Sequence, residues 1–152
     1  MVPDASFHRV LRDQAEVVPG ATTVKLVEDS KIKRVILCTG KVYFDLMEER
    51  EKRNENRIQI LRIEQLYPFP ENVLAQELNR FARAELVWCQ EEPQNQGAWS
   101  FIRPRIEDTL AKLGGKGGPR YVGRPEYAST AAGLMKQHQA ELAAFLNDAL
   151  SL

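Results

Sequence analysis

Between residues 33 and 150 the chain alternates short apolar runs with stretches of helical spacing, and this alternation restricts its fold more than any other feature. Arg34-Val35-Ile36-Leu37-Cys38 is apolar almost without interruption, as a strand covered on both faces must be. Thr39-Gly40 turns the chain, and Tyr43, Leu46, Met47 and Arg50 then mark one face of a helix ending near Arg53-Asn54. Ile58, Ile60, Leu61 and Ile63 form a second strand. Val73, Leu74, Leu78, Phe81 and Ala82 line a second helix with Pro70 near its first turn, where a missing N–H is harmless. The third strand is Leu86–Cys89, the end of the run Glu85-Leu86-Val87-Trp88-Cys89. Ala98, Phe101, Ile102, Arg105, Ile106, Thr109, Leu110 and Leu113 recur at helical spacing, with Pro104 required to lie in the first turn or to kink the helix. Gly114-Gly115-Lys116-Gly117-Gly118-Pro119 composes a surface loop and Arg120–Val122 a short strand. Leu134, His138, Leu142, Phe145, Leu146 and Ala149 mark a terminal amphipathic helix. Strands joined by helical crossovers lie parallel, with helices on both faces of their sheet. The fold class is α/β, in three layers α/β/α.

Residues 1–31 break this rhythm. Pro3, Pro19 and Gly20 stand among scattered apolar residues without a sustained period, so the segment reads as a connector from a preceding domain with one possible strand at Thr22–Val27. Residues 32–152 form the domain itself, and a chain of 152 residues is long enough to bury one substantial core. Twenty-one basic residues balance twenty-one acidic ones, so no net field draws the molecule to nucleic acid or to an anionic membrane. No apolar stretch reaches the roughly 18 residues that cross a bilayer, and Met1-Val2-Pro3-Asp4 does not begin a signal peptide. Cys38 and Cys89 end apolar runs and read as buried thiols. With His8 and His138 they lack the close spacing of a zinc site, so no metal is expected.

The chemistry of interest collects in Trp88-Cys89-Gln90-Glu91-Glu92-Pro93-Gln94-Asn95-Gln96-Gly97-Ala98-Trp99. An apolar run gives way at once to carboxylates, amides and a glycine, at the carboxyl end of a central strand, where open α/β sheets meet ligands and partners. Glu91 and Glu92 are neighbours, so on extended backbone they point to opposite sides and make a poor acid/base pair. The preferred reading is structural. One carboxylate caps the amides of Gln94–Gly97 and the other meets an arginine across an interface. Two tryptophans bracket the loop, and aromatic residues favour buried interface centres. Gln90, Glu91, Glu92, Gln94, Asn95, Gln96 and Trp99 are therefore candidates for a dimer contact, while Trp88 reads as core. Gly40-Lys41 matches neither a Walker loop nor a dinucleotide fingerprint and reads as a tight turn with Lys41 in solvent. His138, on an apolar helix face without a Ser or Asp relay, reads as a structural histidine.

Four ordered blocks together resemble the C-terminal region of 2-oxoglutarate dehydrogenase E1. They are Thr39-Gly40-Lys41-Val42-Tyr43-Phe44-Asp45-Leu46, Arg62-Ile63-Glu64-Gln65-Leu66-Tyr67-Pro68-Phe69-Pro70, the Gln90–Trp99 loop, and Arg120-Tyr121-Val122-Gly123-Arg124-Pro125 through Ala131-Ala132-Gly133. The resemblance spans residues 31–150 and implies a transketolase-like C-terminal domain with a mixed, mostly parallel sheet of five strands, one of them an antiparallel edge. It implies a piece of a larger enzyme that decarboxylates 2-oxoglutarate on thiamine diphosphate and Mg, held by preceding domains, and passes succinyl to the lipoyl group of an E2 partner. It also implies a homodimer, in the bacterial cytoplasm or in the mitochondrial matrix of a eukaryote. This stretch holds neither a Gly-Asp-Gly diphosphate motif nor a pyrimidine-activating glutamate, so catalytic and cofactor-binding residues are expected to be absent and the piece inactive alone. Arg103, Arg105, Lys116, Arg120, Arg124 and Lys136 gather in the second half. Because relatives bind adenine-nucleotide effectors near this region, Arg105 and Arg124 are candidates for an adenine-nucleotide or acetyl-CoA site. The alternative of another class is a stand-alone regulatory domain that binds an adenine nucleotide or acyl-CoA. Within the class, a transketolase or a branched-chain E1 is the competing assignment.

Overall fold

The computed structural model describes residues 9–115, 117–126 and 135–152. Its elements are β1 (Val10–Leu11), α1 (Gln14–Val17), β2 (Arg34–Cys38), α2 (Val42–Arg53), β3 (Ile58–Ile63), α3 (Glu71–Asn79), β4 (Glu85–Pro93), α4 (Trp99–Lys112), β5 (Arg120–Arg124) and α5 (Met135–Leu150), with a 3-10 turn at Asp29–Lys31. One five-stranded sheet has the order β1-β3-β2-β4-β5. The four longer strands are parallel, and β1 pairs antiparallel with β3, Val10 opposite Ile63 and Leu11 opposite Arg62.

Each strand sends alternate side chains to opposite faces. Ile36, Cys38, Ile58, Ile60, Val87, Cys89 and Val122 meet α2 and α5 on one side. Val35, Leu37, Leu61, Ile63 and Trp88 meet α3 and α4 on the other. The three layers follow directly, and β2, central and buried throughout, is apolar because neither of its faces sees water. Each fully buried Ile or Leu contributes about 1.5–3 kcal/mol.

The antiparallel edge strand is present, but it is Val10–Leu11 and not Thr22–Val27. Two residues of β1 occupy the upper edge of β3, and just below them the Asp13 carboxylate accepts the Ile60 N–H at 2.8 Å. With that edge taken, residues 22–27 run along α2. The Thr23 N–H donates to the Glu51 carboxylate at 2.9 Å, and Val27 donates to the Asn56 carbonyl at 3.0 Å. Val24 is buried.

Residues 9–31 are thus stitched into the domain. Asp13 and Arg50 form an ion pair with neither side chain exposed. Arg50 Nη2 donates to Asp13 at 2.7 Å and Nη1 to the Ile58 carbonyl at 3.0 Å. Arg80 on the far layer joins Glu16, Asp29 and Glu77.

Elsewhere boundaries moved by a few residues. α3 stops at Asn79, before the predicted Phe81-Ala82, and Pro70 stands at its N-cap with its carbonyl accepting from Leu74 at 3.0 Å. Pro104 lies inside α4, in the second turn and not the first. β5 continues to Arg124. Phe145, Leu146 and Ala149 of α5 are buried as their spacing predicts. Leu134 and His8 lie outside the described residues.

Candidate functional site

The strand order creates a switch point between β2 and β4. From β2 the chain crosses through α2 to β3 on one side, while β4 lies on the other. The loop after β2 leads to the α2 layer and the loop after β4 to the α4 layer, so the two diverge and leave a crevice at the carboxyl edge, the usual ligand position in such sheets.

Here the chain's own charges bridge the crevice. Gly40 turns sharply with φ +74°, a left-handed conformation that suits glycine. The next residue, Lys41, places Nζ 3.2 Å from the Glu91 carboxylate. The Lys41 side chain is 79% exposed and that of Glu91 only 21%, so Lys41 is solvated as predicted yet also paired. Asp45, on the first turn of α2, lies near enough to be affected. Burial first, and then the Glu91 charge, raises its carboxyl above the ordinary range.

The polar loop after Cys89 is not a loop at its start. β4 continues through Gln90, Glu91 and Glu92 to Pro93, and these residues bulge. Cys89 pairs with Val122 and the next pair is Pro93 with Arg124, so three residues of β4 face only Gly123. Gln90 holds the bulge from within. It is 1% exposed. Its Oε1 accepts from Trp88 Nε1 at 2.9 Å, and its Nε2 donates toward the carbonyls of Glu92, Pro93 and Gln96 at 3.2, 3.0 and 2.8 Å. Tyr121 adds a second clamp, its hydroxyl donating to the Arg124 carbonyl at 2.7 Å, with the Glu92 carbonyl at 3.3 Å. Burial pushes this phenol well above its usual range. A Cβ at Gly123 would fall 2.5 Å from the Tyr121 hydroxyl and 2.7 Å from the Gln90 carbonyl, so a glycine lets the bulge close.

Sequence reasoning placed seven residues at a dimer surface, and the structure divides them. Gln90 and Trp99 are inward-facing, committed to their own domain. Trp99 is 8% exposed, packs on Tyr121 with centroids 5.3 Å apart, and belongs to the α3–α4 core with Trp88. Glu91, Gln94 and Gln96 are half-buried, while Glu92 and Asn95 are exposed. Of the two carboxylates, Glu91 meets a lysine of its own chain where an arginine of a partner was expected. The Glu92 side chain lies across Gly97, whose φ is +67°.

Arg105 and Arg124 do not form one site. Arg105 lies on α4, donating to the Phe101 carbonyl at 2.7 Å with its guanidinium 3.6 Å from the Phe101 ring centroid. Arg124 is buried and faces the α5 layer, with Nη2 3.4 Å from His138 Nε2. The sheet separates the α4 layer from the α5 layer. His138 is thus an arginine partner on α5. Cys38 and Cys89 are buried free thiols, and burial pushes Cys89 up to about 12 and Cys38 well up, which keeps both protonated and unreactive at neutral pH. Among the described residues no three His, Cys, Asp or Glu side chains converge to hold a cation, and no helix is long and apolar enough to cross a membrane.

Sequence reasoning missed the Asp13–Arg50 pair and the inward role of Gln90. It also passed over Gly123, although a glycine inside a strand pattern is a signal of close backbone approach.

The family described as 2-oxoglutarate dehydrogenase C-terminal matches residues 1–150. The chain is similar to 2-oxoglutarate dehydrogenase E1 components of Brucella anthropi, Brucella ovis and Brucella melitensis, 57% identical over 148 residues in each case. The match covers 97% of this chain but spans only 15% of the length of those relatives.

Proposed function

Because the chain belongs to the 2-oxoglutarate dehydrogenase C-terminal family, we propose that it is the terminal structural domain of an E1 component. In that reading the whole subunit decarboxylates 2-oxoglutarate on thiamine diphosphate, works as a homodimer and passes succinyl to an E2 partner. This domain contributes packing and a subunit contact. The residues described here offer no convergent donor set for the cofactor's divalent cation, so no step of the reaction is assigned to them.

One observation carries the reading. At the switch point, where a catalytic α/β domain would keep an open crevice, Lys41 and Glu91 pair across the gap and Gln90 ties the following loop to its own strand. Such an arrangement supports a structural role by holding the shape of this edge. The loop's outer rim, Glu91, Glu92, Gln94, Asn95 and Gln96, is left as a fixed polar surface for a second subunit, in keeping with the polar rim of interfaces.

The test uses charge reversal at the exposed position. In the full E1 polypeptide, Glu92→Lys is expected to weaken dimerisation at least tenfold by sedimentation equilibrium, with the domain's melting unchanged. Unaltered dimer affinity rejects the subunit contact. Turnover of 2-oxoglutarate by these 152 residues with added thiamine diphosphate and Mg rejects the structural assignment itself.

A further inference from the structure

Two large aromatic side chains face solvent at the carboxyl edge: Phe44 on the first turn of α2 is 54% exposed and Tyr67, just beyond β3, is 83% exposed. A lone exposed aromatic is ordinary, but these two follow the carboxyl ends of neighbouring strands, Phe44 after β2 and Tyr67 after β3. The Arg62 guanidinium lies 4.5 Å from the centroid of buried Tyr43 and 5.4 Å from that of Phe44, and β3 ends one residue later at Ile63, four residues before Tyr67. The turn that projects Tyr67 is itself tied, with Gln65 Nε2 donating to the Pro68 carbonyl at 2.8 Å. The ring is held outward on a braced turn.

The direction of the chain says what lies against it. β1 runs antiparallel to β3, with Val10 opposite Ile63 and the Glu64 N–H donating to the Arg9 carbonyl at 2.8 Å. Arg9, the first described residue, therefore stands at the carboxyl end of β3, beside Glu64, which is three residues from Tyr67. Residues 1–8 can span at most about 28 Å when fully extended. The similar E1 components are far longer than this chain, which spans 15% of their length.

We infer that Phe44 and Tyr67 are the docking surface for the preceding domain of the same polypeptide, which enters at this edge. The inference rests on the reading of the chain as the terminal part of a longer E1 subunit. A neighbour tethered this closely acts at millimolar effective concentration, so two aromatic anchors with Lys41 at the margin suffice to seat it. A second copy of the chain would have to reach the same edge past that neighbour.

The experiment measures accessibility in the full E1 polypeptide. Tyr67→Cys is labelled with a thiol reagent and followed by peptide mass spectrometry, against Lys52→Cys at the far end of α2, whose native side chain is 65% exposed. The native thiols Cys38 and Cys89 are buried and do not confuse the readout. Position 67 is expected to label at least tenfold more slowly than position 52, in the dimer and equally after dilution into single subunits. Equal rates at the two positions overturn the inference. Protection lost on dilution also overturns it, because the occupant is then a second subunit. Hydroxyl-radical footprinting of the unsubstituted polypeptide guards against the new cysteine disturbing the contact. Tyr67 and Phe44 should oxidise at least tenfold more slowly native than denatured, and protection below twofold refutes the docking. Dimer loss in Glu92→Lys is read separately, so the two proposals fail independently.

Discussion

Replacing Asp13 by asparagine separates two views of the N-terminal segment. A mere connector tolerates the change, since surface substitutions remain within about 0.5 kcal/mol. The structure requires otherwise. Asp13 is fully buried and accepts hydrogen bonds from both Arg50 Nη atoms, from Ile60 N at 2.8 Å and from Ala15 N at 2.9 Å. Asparagine keeps the shape but removes the negative charge, leaving the fully buried Arg50 guanidinium without its carboxylate. Removing one member of a buried ion pair costs about 3–5 kcal/mol. At about 2–4 °C per kcal/mol for a domain of this size, the melting temperature should fall by about 10 °C. Urea unfolding of the 152-residue chain measures the same loss as a shifted midpoint with unchanged slope. In Asp13→Asn/Arg50→Met the uncompensated charge is gone, so the double variant should recover part of the stability and show a coupling above about 1 kcal/mol. A melting change below 2 °C for Asp13→Asn would refute the reasoning and return residues 9–17 to the status of a linker.

The other predictions concern the bulge and the thiols. Gln90→Leu strands the buried Trp88 Nε1 and withdraws a donor from three carbonyls. At about 1–3 kcal/mol per unsatisfied group it should cost about 3 kcal/mol in chemical denaturation and speed amide exchange over residues 91–97. Gly123→Ala drives a Cβ to 2.7 Å from a backbone carbonyl, whereas Gly40→Ala meets nothing within 4 Å and strains only the backbone. The first should therefore destabilise by about 3 kcal/mol and the second by about 1 kcal/mol, and the reverse order in thermal melts would contradict the packing described. Burial holds the Cys89 thiol up to about 12 in the folded protein, against about 8.5 when unfolded. The folded state thus binds the proton more tightly, so stability is complete below pH 8.5 and falls as pH rises toward 12. Cys89→Ala should flatten that decline, and native-state thiol titration at pH 8 should find Cys89 unreactive.

Trp99 illustrates how burial redirects an inference. From the sequence, its position after a glycine at a helix start suggested a subunit contact. In the fold it fills the α3–α4 core, where truncation to alanine costs about 3–5 kcal/mol of the domain's own stability. Its substitution therefore reports on folding, and exposed Glu92 is the cleaner probe of the proposed subunit contact.

The alternation of apolar runs and helical faces was enough to specify three layers and the order of elements, because strands buried on both faces must be apolar throughout and the helices covering them must be apolar on one side. Arg34–Cys38 and Ile58–Ile63 lie where their patterns put them. The four worded blocks identified the family, because they pair turn residues with polar clusters that no generic loop needs. Tertiary structure alone decided the edge strand. Val10–Leu11 has no periodic signal in so short a span, and it displaces the better β pattern of Thr22–Val27 because Asp13, two residues on, reaches the buried Arg50 and the free Ile60 N–H. It alone also turned Gln90 inward. A glutamine after an apolar strand reads as the start of a surface loop, and only the proximity of the Trp88 ring and three converging carbonyls makes burial of its amide favourable. Local pattern records which side chains avoid water, whereas the partners available to a polar group are set by chain segments distant in sequence.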